Sequence, residues 1–225
     1  MKQRTAILLF SRSAKEEIAH KQLSFTSLRQ SKNIATKLIQ QTSRIAQSSG
    51  LPVLHADQQK GANFAERLSY SIQKAFQNGY EQVIAIGNDT PALNVAHLRQ
   101  AEQALSQKNV VLGPSKDGGI YLLGLKKEAF NQLSFEQLSW QTAHLFTELI
   151  HFVSQQEWSF HTLETLADID NAKDFLDFIN KSLFYFAQIL KSLLFTTSIF
   201  PVHHIIPPTP TTQFPFLQRP PPIHF

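Results

Sequence analysis

The sequence predicts an α/β protein, a three-layer sandwich around a mostly parallel central sheet. Three observations lead there. Over residues 1–182, short apolar runs alternate with amphipathic segments of roughly 10–18 residues, a pattern that implies crossover connections and parallel pairing. Two of the runs stop at loops bearing glycine, proline and one aspartate, where an open sheet places its ligands. Composition agrees: 42% hydrophobic and 17% charged residues are ordinary for a chain that buries one sizeable core.

Taken in order, "TAILLF" (5–10) reads as the first strand. Residues 31–50 set Ile34, Leu38 and Ile45 on one helical face and stop at Gly50. "LPVLHA" (51–56) follows as a strand. Phe64, Leu68, Ile72 and Phe76 recur every four residues and define a helix over 62–79 that ends on Gly79. "EQVIAIG" (81–87) is the plainest strand of the chain. A helix over 94–108 leads to the strands "NVVLG" (109–113) and "GIYLLGL" (119–125). A helix around 141–154, a short strand within 158–163 and a helix over 171–181 complete the body.

Composition changes abruptly near residue 182. Residues 183–225 hold 8 of the 11 prolines, 7 of the 18 phenylalanines and no acid. Such proline density opposes helix and central strand. A helix docked on the body, a membrane-surface segment and sequence from a shifted reading frame all fit this stretch. The loss of acids with the surge of Pro, Phe and His favours the last, so a disordered or non-native tail without catalytic role is expected. The apolar run 183–200 is interrupted by Gln188 and Lys191, and a span needs about 20 largely uncharged residues, so stable membrane insertion is not expected. The chain has no cysteine, which excludes disulfides and thiolate metal sites. Its apolar N-terminal run is too short for a signal-peptide core, and the cytoplasm is the default location. The net charge of +4 forms no basic stripe with interleaved aromatics, so nucleic acid is not an expected partner.

Chemistry concentrates in three acidic segments. "GNDTPAL" (87–93) and "GPSKDGG" (113–119) follow strands and carry Asp89 and Asp117. In "LADIDNAKDF" (166–175), Asp168 and Asp170 flank Ile169 and share a face of an extended chain. Converging carboxylates raise one another's pKa, and a divalent cation with oxygen ligands, Mg²⁺ or Mn²⁺, resolves the conflict. Each aspartate also has a structural reading: Asp89 and Asp117 as turn residues, Asp170 as a helix N-cap. His144, Glu148 and His151 are helically spaced, but their helix carries its apolar stripe on Leu145, Leu149 and Phe152, so they read as its wetter flank. No nucleophile elbow and no Walker loop is present.

The series "IAIGNDTPAL", "VVLGPSKDGGIYLLGL", "LSWQT" and "LADIDNAKDF" resembles a bacterial family of candidate glycosyltransferases. These are often labelled rSAM/selenodomain-associated transferases and have the nucleotide-diphospho-sugar transferase (GT-A) fold. The match is dense over 81–125, recognisable at 61–68, 139–142 and 166–175, and absent after 182. The resemblance implies a metal-dependent transferase whose partners are a nucleotide sugar and an unknown acceptor. A nucleotidyltransferase and an inactive binding protein are the alternatives. It implies that Asp89 coordinates the metal, with Asp170 as a further acid. Asp117 would share the catalytic role, and Gly87, Asn88, Gly118 and Gly119 would line the nucleotide and substrate side. Trp140 and Thr142 would shape the acceptor side, although Trp140 also reads as core. Segment 11–23, "SRSAKEEIAHKQL", departs from the family's glycine-containing loop: it has neither glycine nor proline and carries Glu16 and Glu17. Arg12 and Lys21 remain as the cations for a nucleotide, Lys21 in place of the family's lysine.

Overall fold

The computed structural model describes residues 4–56, 60–182 and 185–195. Strands β1 (Thr5–Leu9) and β3 (Gln82–Ile86) are buried at every position. Only a strand covered on both faces permits this. Their side chains alternate accordingly. Ile7, Leu9, Ile84 and Ile86 pack on one face, and Leu8, Val83 and Ala85 on the other.

Four further strands complete one sheet: β2 (Val53–His55), β4 (Val110–Pro114), β5 (Ile120–Lys126) and β6 (Phe160–Thr162), in the order β2-β1-β3-β5-β4-β6. Pairs β1–β2, β1–β3 and β4–β6 are parallel, whereas β5 runs antiparallel to both neighbours. The reason is local. Only the turn 115–119 joins β4 to β5, too short for the crossover that parallel strands require.

Helices form the outer layers. On one face lie α3 (Phe64–Gln77), through Leu68, Ile72 and Phe76, and α6 (Leu145–Gln155), through Leu145, Leu149 and Val153. The other face receives α4 (Val95–Leu105) and the end of α2 (Leu28–Ser48), through Leu98, Leu105 and Ile45. A separate cluster joins α2, through Ile34 and Leu38, to α7 (Ala172–Lys181), through Phe175 and Ile179. The predicted three-layer α/β fold is present, with each expected strand and helix at its place.

Two α-helices have no counterpart in the expected series, α1 (Ala14–His20) and α5 (Lys127–Gln132). A terminal helix, α8 (Tyr185–Phe195), takes the docked-helix alternative rather than the favoured disordered or non-native tail. Of the expected tail, residues 185–195 form α8, which buries Phe186, Ala187 and Leu190 in the cluster with Ile34 and Phe175. Gln30 Nε2 donates to the Leu193 carbonyl at 3.1 Å. The prolines begin only at residue 201, so 185–195 keeps an unbroken i, i+4 apolar face. Residues 196–225 lie outside the described residues. Among the described residues, no helix is long and apolar enough to cross a membrane. Because Leu190 is fully buried, Leu190→Ala should cost about 2–5 kcal/mol. A thermal melt showing an unchanged midpoint would mean that α8 does not dock.

Candidate functional site

A cavity of about 350 Å³ opens beyond the carboxyl ends of β1 and β3, between their loops, the β4–β5 turn, segment 139–142 and segment 166–170. It has two ends of different character. One gathers charge: Glu17, Lys21, Asp89, Asp117, Asp168 and Asp170. The other is aromatic. Phe10 meets Phe64 edge-on at 5.4 Å, and Phe64 lies 5.5 Å from Trp140.

Segment 11–23 is built around helix α1, which takes up residues 14–20. Ser13 caps α1: its hydroxyl accepts from the Glu16 amide, and Glu16 accepts from the Ser13 amide at 2.9 Å. Glu16 is thereby spent on the cap and does not line the cavity. Glu17 faces inward and is buried; burial pushes its carboxyl above the usual range, partly offset by Lys21. The helix ends at Lys21, whose amide donates to the Glu17 carbonyl at 2.9 Å.

The Lys21 side chain crosses into the acidic end. Its Nζ lies 2.6 Å from Asp89 Oδ2, 2.7 Å from Asp170 Oδ1 and 3.8 Å from Glu17 Oε1. Burial would lower its pKa, but Asp89 and Asp170 outweigh burial and hold it above the ordinary lysine value. The expected role for Lys21 was with the nucleotide; here its ammonium is the cation that the aspartates share.

Asp168 completes the cluster. It accepts from the Thr90 hydroxyl, and burial, then the charge of Asp89, pushes its carboxyl up to about 7. It was noted in the sequence only as sharing a face with Asp170, not as a site residue. The i, i+2 spacing in an extended segment was the signal. Main-chain bonds stitch these loops together. Ile169 donates to the Asp89 carbonyl at 2.8 Å, Leu166 to Pro114 at 3.1 Å, and Lys116 to Leu166 at 2.9 Å.

The remaining predicted residues divide. Arg12, Gly87, Asn88, Gly119, Trp140 and Thr142 line the cavity. Gly118 does not; it supports the wall from behind, its carbonyl accepting from the Phe146 amide at 3.0 Å. Asp117 is both a turn residue and a cavity residue, since Oδ1 accepts from the Gly119 amide at 3.0 Å. Asp170 is not the N-cap of α7; Asn171 is. Trp140 satisfies both of its readings: its ring faces the cavity while the indole N–H donates to the Phe135 carbonyl at 2.6 Å. Glu148, on α6, accepts from the Ser139 amide at 2.7 Å and so anchors the segment that carries Trp140.

The donor chemistry fits a hard divalent cation. Among the described residues no three acids or histidines form a self-sufficient metal cage. Mg²⁺ is usually held by one or two carboxylates with substrate phosphates completing its shell, which Asp89 and Asp170 could supply. In the structure the Lys21 ammonium, rather than an ion, lies between these two carboxylates.

Among solved structures, a candidate nucleotide-diphospho-sugar transferase from Desulfovibrio desulfuricans G20 is similar with a TM-score of 0.73 at 19% identity. The match covers 85% of this chain and 94% of that one. More distant are the Mycobacterium sp. strain JC1 homologue of Mycobacterium tuberculosis Rv0371c (TM-score 0.47, 10% identity, 86% and 98% covered) and a CMP:2-keto-3-deoxy-manno-octonic acid synthetase complexed with CTP (0.45, 9%, 84% and 100%). At 19% identity the likeness to the Desulfovibrio structure establishes the fold alone, the GT-A-like sandwich that the motifs imply. Among curated proteins, none matches this sequence. A family model described as "Uncharacterized protein conserved in bacteria (DUF2064)" matches residues 14–142, from the first turn of α1 through Trp140 and Thr142 at the cavity wall, and the chain belongs to that family.

Proposed function

We propose that the cavity binds a nucleoside-diphosphate sugar together with Mg²⁺ or Mn²⁺ and transfers the sugar to an acceptor. One observation carries the reading: a two-ended cavity at the carboxyl ends of the strands, with clustered carboxylates at one end and aromatic rings at the other. Asp89 and Asp170 would hold the ion, which when bound neutralises the charge that develops on a diphosphate leaving group.

The chain's own residues do the rest. Arg12, on the β1 side, offers a fork of donors to phosphate oxygens. Gly87 lets the backbone approach the ligand beside Asp89: a Cβ there would stand 3.0 Å from Asp89 Oδ1. Asp117 faces the same space and can accept a hydrogen bond from a sugar hydroxyl. Trp140 and Phe64 exclude water from the far end and give a planar or apolar group a surface to lie on.

Nucleotidyl transfer is the second reading, because the same constellation could hold a nucleoside triphosphate. Products separate the two. Incubation with Mn²⁺ and a panel of nucleotide sugars should release free nucleoside diphosphate. Pyrophosphate from a triphosphate and a sugar phosphate would instead assign nucleotidyl transfer. Release of neither product by folded protein would leave a binding protein.

A further inference from the structure

We propose that Lys21 is the resident cation of the acidic site. Its ammonium competes with a divalent cation for Asp89 and Asp170, and an ion is admitted only as the lysine withdraws. The inference rests on the reading that these two aspartates are the cation ligands.

Geometry carries it. Nζ sits between Asp89 Oδ2 at 2.6 Å and Asp170 Oδ1 at 2.7 Å. A divalent ion needs carboxylate oxygens at about 2.0–2.6 Å, so ion and ammonium would claim the same gap between the same two oxygens. Repulsion at such a separation forbids both being there.

The placement is supported on each side of the lysine. Before it, α1 is fixed by the Ser13–Glu16 capping box, and the Lys21 amide closes the helix on the Glu17 carbonyl. After it, Leu23 is buried in the cluster of α2, α7 and α8. The backbone at residue 21 is therefore held facing the aspartates. The four-carbon stem is flexible, so the ammonium can swing out of the gap without moving that backbone. Within the cavity the withdrawn ammonium stays near the phosphates of a bound nucleotide, where its charge is useful.

The consequence is a metal affinity set by a side chain rather than by the ligands alone. The test uses the full chain without nucleotide, so its outcome is independent of whether any donor binds. Mn²⁺ titrated by calorimetry should bind Lys21→Met at least tenfold more tightly than wild type, and adding Asp89→Asn to that variant should remove the gain. Equal or weaker binding to folded Lys21→Met overturns the proposal, as does a gain that survives Asp89→Asn.

A second readout needs no substitution. Amine-reactive labelling of wild-type Lys21, followed by mass spectrometry, should rise severalfold as Mn²⁺ saturates the protein, with exposed Lys15 as internal standard. Unchanged Lys21 labelling at saturation means that the ammonium does not leave, and overturns the proposal.

Discussion

Asp89→Ala should leave the protein folded and abolish metal-dependent stabilisation by a nucleotide sugar. Folding survives because Lys21 keeps Asp170 at 2.7 Å, so no buried ammonium is left without a counter-charge. In wild type, a donor at about 100 times its Kd adds about 2.7 kcal/mol, a rise of roughly 5–10 °C for a domain of this size. With Mn²⁺ present, Asp89→Ala should show almost none of that rise. Turnover should fall by a hundredfold or more, since losing the ion's hold on the leaving group forfeits several kcal/mol of transition-state stabilisation. An undiminished shift in Asp89→Ala would move the metal site away from the β3 loop.

Gly118→Ala should be the most damaging single methyl on the site's perimeter. Gly118 has φ +90°, a conformation that costs an L-residue roughly 1–3 kcal/mol. The new Cβ would also stand 2.2 Å from the Ala143 carbonyl oxygen, with the Ala143 carbonyl carbon and Cα at 2.8 and 2.9 Å. All three are backbone atoms and cannot rotate aside. Overpacking adds about 1–3 kcal/mol, so the melting temperature should drop by about 5–15 °C. Gly50→Ala is the control: φ is +82° there, but nothing lies within 4 Å of the added methyl. If both variants melt alike, backbone conformation rather than the Ala143 contact governs position 118. The damage should also reach the site, because Ala143 adjoins the segment that carries Trp140 and Thr142.

Continuous apolar runs and period-four patterns located most elements, because a sheet buried between two helical layers leaves its strands apolar throughout and its helices apolar on one face. The antiparallel strand β5 was legible only as a strand. Its direction follows from the length of one turn. Helix α1 left a sequence signal that was passed over: "SAKE" at 13–16 is a capping box, and it outweighed the comparison with a glycine loop. Composition misled over 185–195, since averaging with the later prolines obscured the clean face of Phe186 and Leu190.

Of the candidate site, positions at strand ends were readable and contacts were not. Asp89, Asp117 and Asp170 share the cavity as their loops suggested. That Lys21 would meet Asp89 across 68 residues depends on how α1 packs, which no local pattern encodes. Asp168 escaped assignment because its environment, Thr90 and the buried floor, comes from another loop.

The main-chain bonds that Ile169 donates to Asp89, Leu166 to Pro114 and Lys116 to Leu166 have a mechanical consequence. Three acidic loops from three strands are riveted into one plate, and a push on any of them is shared by the rest. Exchanging an aspartate there recolours the plate without reshaping it. Opposite stands α1, a short self-capped piece that ends on the long, pliable side chain of Lys21. The cavity thus has an anvil and a hammer, and a different segment in place of 11–23 would change what strikes the carboxylates while leaving their spacing untouched.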